Sequence, residues 1–307
     1  MPETEQSFER ALRGRVDAGR GTKPRGCESA LAELAAGTGF DFGRARARAG
    51  FARGHLLDVV IELPGGRGGR HEQRAAESLC ELLLGEARSD DWLGKVSLVP
   101  APREGPLKVV QARPSSENFF PIAELLPAFD AAIAGLHAGL PGEPLWAVGG
   151  EQRWVLLELD VEALPAYPGQ SDVALASTFL PEMLRCFLSG ASFASARFSA
   201  RAELFGYLKS RRREGDLRRA VAERRVLEDA LDSALVSERA GRVVGSGMGV
   251  VYSYVDFAFD ALDRAVDVIR AVAGRVGLPA ESWISFCDTP LAEDWIALAP
   301  GGPAPPR

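Results

Sequence analysis

Val243-Val-Gly-Ser-Gly-Met-Gly-Val-Val-Tyr-Ser-Tyr-Val-Asp-Phe257 sets glycines at 245, 247 and 249 directly ahead of an alternating apolar stretch. A phosphate cradle needs its glycines where a strand turns into a helix, because the helix start supplies amide donors and the favourable end of the dipole. Here they lead into a strand, miss the GxGxxG spacing, and are followed by no GKS or GKT. The stretch therefore reads as a flexible or bulged strand entry, with glycine permitting close backbone approach. The strand at 250–259 ends at Asp260, placed to cap a helix over 262–276. In that helix Leu262, Ala265, Val266, Ile269, Val272, Ala273 and Val276 form one apolar stripe. Gly277 and Pro279 end it, residues 283–287 return as a strand, and 295–298 offer one more.

The same β-α-β order recurs upstream. Residues 56–63 alternate as a strand, 72–84 carry Ala75, Ala76, Leu79, Cys80, Leu82 and Leu83 on one helical face, and 95–99 form the next strand. Another instance starts with a strand at 154–161, passes through an apolar helical run at 172–188, and finds its return strand within 193–207. Pro181 would break that run, so Ser177 or Thr178 is placed to cap a fresh helix with Pro181 in its first turn. Residues 118–140 read as a further helix stopped by Pro141-Gly142.

Two β-α-β units make a ferredoxin-like sandwich. The expected class is α+β: a smaller α+β N-terminal domain over 1–113 with one β-α-β unit, and a ferredoxin-like C-terminal domain over 114–307. The charged helix 216–239 is expected as an insertion, and 300–307 and 1–6 as disordered ends.

At 307 residues and a net charge of −6, composition matches an ordinary globular chain and argues against general nucleic-acid affinity. No window reaches the roughly 18–20 apolar residues of a membrane span, and no signal-peptide h-region opens the chain, so the expected location is cytoplasmic. Only four of 36 basic residues are lysine, and Ala and Gly abound, which suggests a GC-rich bacterial gene.

Chemistry-bearing motifs are sparse. His55, His71 and His137 form no HExxH or HxD pattern, and Cys27, Cys80, Cys186 and Cys287 form no CxxC pair. Neither a metal site nor a disulfide framework is expected, and no cofactor. GxSxG is absent. Cys287 stands beside Asp288, a neighbour that raises a thiol pKa rather than activating it. Glu158 with Asp160, and Asp256 with Asp260, share strand faces by their spacing. The loop Gly65-Gly-Arg-Gly-Gly-Arg70 does join a strand to a helix, making Arg67 and Arg70 candidate anion ligands.

These failed searches favour a binding protein. The leading expectation is capture of a peptide or protein segment by strand addition at an open sheet edge, with an aromatic-lined groove formed by Phe119, Phe120, Phe129 and Trp154. The expected setting is maturation of a ribosomal peptide in bacterial specialised metabolism, and a homodimer is compatible with the sequence. The segment 114–200, with ten acidic and three basic residues, suits a cationic partner. One alternative is a cofactor-independent enzyme using Glu158, Asp160, Asp256 and Asp288 in an inter-domain cleft. Another is nucleotide or nucleic-acid binding through Arg211, Arg212, Arg213, Arg218 and Arg219.

Overall fold

The computed structural model describes residues 8, 10, 12, 22–101, 118–158, 170, 172–212 and 217–305, the side chains of 217–219 excepted. It is a mixed α+β chain that divides into two compact units, residues 20–137 and residues 138–307 with 1–19. The expected boundary at 113/114 lies outside the described residues. Residues 118–137, expected with the C-terminal half, belong to the N-terminal unit, where Phe120 pairs with Ala47.

The N-terminal unit contains Cys27–Thr38 (α1), Arg46–Phe51 (β1), Leu57–Leu63 (β2), Arg70–Leu84 (α2), Glu86–Trp92 (α3), Leu93–Pro100 (β3), Phe120–Pro121 (β4) and all but the last two residues of Leu125–Gly139 (α4). Its sheet runs in the order β3-β2-β1-β4. Every second residue of β2 is buried, as a period-two strand on a core demands. The expected β-α-β unit is present as β2, α2 and the parallel partner β3.

The C-terminal unit contains Val155–Glu158 (β5), Val173–Thr178 (β6), Pro181–Leu188 (α5), Leu204–Arg211 (β7), Leu217–Ser237 (α6), Gly241–Gly249 (β8), Tyr252–Phe259 (β9), Leu262–Val276 (α7), Ser282–Phe286 (β10) and Trp295–Ala297 (β11). These strands form one seven-stranded sheet in the order β11-β10-β7-β9-β8-β6-β5, and every neighbouring pair is antiparallel. Because β7 is antiparallel to both β9 and β10, the strands joined by α7 run in the same direction with β7 between them. In the same way β7 and β8, joined by α6, flank β9. The helix expected as an insertion is thus the crossover between two strands of the central sheet.

Both faces of the sheet are covered. On one, Val255, Phe257 and Phe259 of β9 pack with Leu227, Leu231 and Leu235 of α6 and with the apolar stripe of α7. On the other, Tyr254, Ala258, Phe205, Tyr207 and Cys287 pack with Met183, Leu184, Cys186 and Phe187 of α5 and with Phe193 and Phe198. Truncating a fully buried side chain such as Leu231 to alanine costs about 2–5 kcal/mol in such a core.

Several local expectations are corrected. The 172–188 run splits, because Val173 and Thr178 favour extended backbone and β6 finds partners on both sides in β5 and β8. Pro181 does open the helix that follows. Asp260 does not cap α7: Ala261 stands at that position, and Asp260 accepts the indole N–H of Trp146 at 2.9 Å. Of the C-terminal end, residues 300–305 are described, and Pro303 O accepts the Trp283 Nε1–H at 2.5 Å.

The glycine stretch is the largest correction, since 243–249 is the interior of β8 and not an entry to β9. Gly245 lies opposite Asp256 and Gly247 opposite Tyr254. Directly paired residues of an antiparallel ladder share a face. Gly245 and Gly249 therefore leave side-chain space empty where Asp256 and Asp172 must fit.

Candidate functional site

The expected site residues are dispersed. Phe119 and Phe120 are half-buried in the N-terminal unit, and the Phe119 ring lies under the guanidiniums of Arg46 and Arg48 at 5.8 and 5.5 Å. Phe129 is fully buried and has no surface to offer a partner. Trp154 belongs to the other unit. At the glycine-rich loop, Glu72 Oε2 accepts the N–H of Arg67 at 2.9 Å and of Gly69 at 3.2 Å, so the chain's own carboxylate occupies amides that an anion would need.

The carboxylates proposed for proton transfer are differently placed. Glu158 is exposed on β5, and Asp160 lies outside the described residues. Asp288 accepts Ser195 N at 2.8 Å and the Ser195 hydroxyl, which in turn accepts Phe205 N at 2.9 Å. Asp256 is buried and accepts Gln170 Nε2 at 3.1 Å. Burial pushes its carboxyl up to about 6, with Glu228 adding to the rise and Gln170 and Arg224 opposing it. That value suits proton transfer at neutral pH, but the cavity beside it measures only about 10 Å³. One water needs about 10–15 Å³, so no substrate fits there.

A second polar cluster forms at Tyr254, two residues before Asp256 on β9. Asp172 accepts Val251 N at 2.7 Å, Tyr252 N at 3.0 Å and the Tyr254 hydroxyl. Lys209, 6% exposed, holds its Nζ 4.5 Å above the Tyr252 ring. Desolvation lowers the pKa of this ammonium, and Asp172 opposes the fall. All the members are engaged with the protein itself, which is the behaviour of a structural network. Cys287 is likewise buried, and burial raises its pKa well above the ordinary thiol value, with Asp256 and Asp288 adding to the rise. Among the described residues no group of histidine, cysteine and carboxylate side chains could hold a metal ion.

The sheet edges differ sharply from one another. An open groove of about 650 Å³ runs along β3, but Gln73 closes that edge by donating Nε2 to Val96 O at 2.8 Å and accepting Leu98 N at 3.0 Å through Oε1. At the other end of that sheet, β4 is two residues long and includes Pro121, which has no N–H to donate. In the larger sheet the outer strands of the central four, β10-β7-β9-β8, are covered: β8 by β6 and β10 by β11. The outer edges are therefore β11, three residues long, and β5.

Strand β5 is set apart by its side chains. Trp154, just ahead of it, is 46% exposed, and Leu156 at 73% is the most exposed large apolar side chain among the described residues. Two positions apart, they fall on one side of the ribbon. Trp154 meets Phe179 edge to face at 5.4 Å, and Arg242 lies 5.4 Å over the other aromatic ring. Trp154 was legible in the sequence as an aromatic at a strand start. Leu156 was missed because alternation alone does not say which face of a strand is covered. The chain matches no family model, no curated protein and no solved structure. No helix among the described residues is long and apolar enough to cross a membrane.

Proposed function

We propose that this protein binds an extended peptide or protein segment by adding it as a strand outside β5. The observation that carries this reading is an edge strand, with no described neighbour on its outer side, that presents Trp154 and Leu156 to solvent. Natural proteins ordinarily blunt such edges with charge, proline or a covering segment. A segment docking there gains backbone hydrogen bonds from the edge, and its alternate side chains pack on Trp154 and Leu156. A partner with apolar residues at alternate positions, flanked by basic ones, fits the acidic balance of the segment around β5, residues 138–200, which hold seven acidic and three basic side chains. Maturation of a ribosomal peptide in a bacterial cytoplasm remains the setting we infer from composition.

The framework proposed for this edge is a ferredoxin-like sandwich built from β7, α6, β8, β9, α7 and β10. Supporting it are the order β10-β7-β9-β8 and the packing of α6 and α7 into one cluster with β9. On this reading β6 and β5 extend the sandwich beyond β8 and transfer its open edge to β5.

Selection from a displayed library of random extended peptides tests the proposal. Enriched peptides should bind the wild-type chain and lose at least tenfold in affinity for both Trp154→Ala and Leu156→Lys. Binders indifferent to both substitutions, or a library without enrichment, would refute strand capture at β5.

A further inference from the structure

A second concavity, away from β5, is lined by the first half of α6, the end of α7 and strands β7 and β9. Its volume is about 370 Å³, within the roughly 300–1,000 Å³ of small-molecule sites. Ser210 of β7 and Ser253 of β9 form the floor, and Leu227, Val276 and Leu278 supply apolar walls.

The rim is charged. Arg211, Arg212 and Arg224 face it, together with Glu223. Arg224 is committed to Glu228, its Nε standing 2.6 Å from Oε1. Arg212 spends Nη1 on Gly249 O at 2.9 Å and Val250 O at 3.2 Å, while its Nε is buried with no hydrogen-bond partner among the described residues. Arg211 is exposed. Among the described residues, three guanidiniums against the carboxylates of Glu223 and Glu228 leave one positive charge, which one anionic head neutralises.

From this combination we infer that the pocket binds a small aliphatic monocarboxylate, head to the arginine rim and chain along the apolar walls. An arginine fork matches a carboxylate in shape and charge. Among the described residues no aromatic ring lines the pocket, so the stacking that holds a nucleobase is not supplied by them. A dianion would leave one negative charge uncompensated beside Glu223.

Titration calorimetry with decanoate, and with decan-1-ol as its neutral counterpart, tests the inference on the full chain. Decanoate should bind one to one, and decan-1-ol at least tenfold more weakly. Arg211→Ala should weaken decanoate at least tenfold. Val226→Trp should abolish the binding by filling the mouth; Val226 is 65% exposed, so that change leaves the core intact. Absence of decanoate binding, equal binding of the alcohol, or full binding by Val226→Trp would overturn the inference. None of these outcomes depends on β5, so peptide capture stands or falls separately.

Discussion

Asp172 occupies the space that a side chain at Gly249 would need. Its carboxylate holds the turn between β8 and β9 through Val251 N and Tyr252 N, and it holds the sheet face through the Tyr254 hydroxyl. One missing methyl group thus admits the group that fixes a hairpin.

The three alternate glycines are accordingly unequal. A Cβ at Gly245 would lie 2.7 Å from Asp256 Oδ2 and 3.0 Å from Ser177 O, whereas one at Gly247 would meet nothing nearer than Val173 Cγ2 at 3.4 Å. Gly245→Ala and Gly249→Ala should each destabilise the fold by about 1–3 kcal/mol, the usual cost of overpacking. Gly247→Ala should be neutral within about 0.5 kcal/mol, because ordinary contact replaces an entropically costly glycine. Urea denaturation of the three variants checks the order. Equal effects would show that strand flexibility, not space, explains the glycines.

On the other unit, the Gln73 amide caps the edge of β3. Gln73→Ala should leave Val96 O and Leu98 N free for another chain, costing about 1–2 kcal/mol of stability and promoting association. Sedimentation velocity across a hundredfold concentration range should show a concentration-dependent dimer of the variant where the wild type shows none through this edge. A variant that sediments as wild type does would mean that the groove beside β3 is closed by something other than Gln73.

Much of this architecture was legible because its signals are local. The stripe of α7 and its Gly277 stop mark that helix and its end, and the alternation of β2 marks its buried face. What escaped depends on partners distant in the chain. Glycines at 245, 247 and 249 look like a loop because their β-propensity is poor, yet pairing with β6 and β9 on both sides overrides it. Residues 173–178 look helical because they run on into the apolar residues of α5, yet pairing with β5 and β8 holds them extended. Trp154 could be singled out as an aromatic on a strand, but its exposure follows from β5 standing last in the sheet, which no short window encodes. Phe129 shows the converse: an aromatic chosen for a groove that the N-terminal core absorbs.

Thiol chemistry offers a direct check on the closed interior. Cys80, Cys186 and Cys287 are buried and their pKa values are raised, Cys80 to about 12, chiefly by desolvation. Only Cys27 is partly exposed, and its pKa is raised as well. Reaction with a disulfide reagent at pH 8 should therefore modify at most one thiol per native chain, at Cys27, and all four after denaturation. Rapid labelling of native Cys287, located by peptide mapping, would reopen nucleophilic catalysis at that site.

The last prediction concerns Asp256, whose carboxyl burial raises to about 6. The folded chain therefore binds a proton there more tightly than the unfolded chain, whose carboxyl titrates near the ordinary value of about 3.9. Below that value both states are protonated and the group contributes no pH dependence. Between about pH 4 and 6 the folded state holds the extra proton, so stability from this group falls as pH rises, and above about 6 the whole cost of a buried charge is present. A rise of about two pKa units corresponds to about 3 kcal/mol. Asp256→Asn keeps an oxygen for Gln170 Nε2 to donate to while removing the charge. Its stability relative to wild type should be highest at pH 8, by up to about 3 kcal/mol, and should shrink steadily toward pH 4. Denaturation curves of both proteins at four pH values measure that difference directly. A constant offset would show that Asp256 ionises in the folded chain as readily as in the unfolded one.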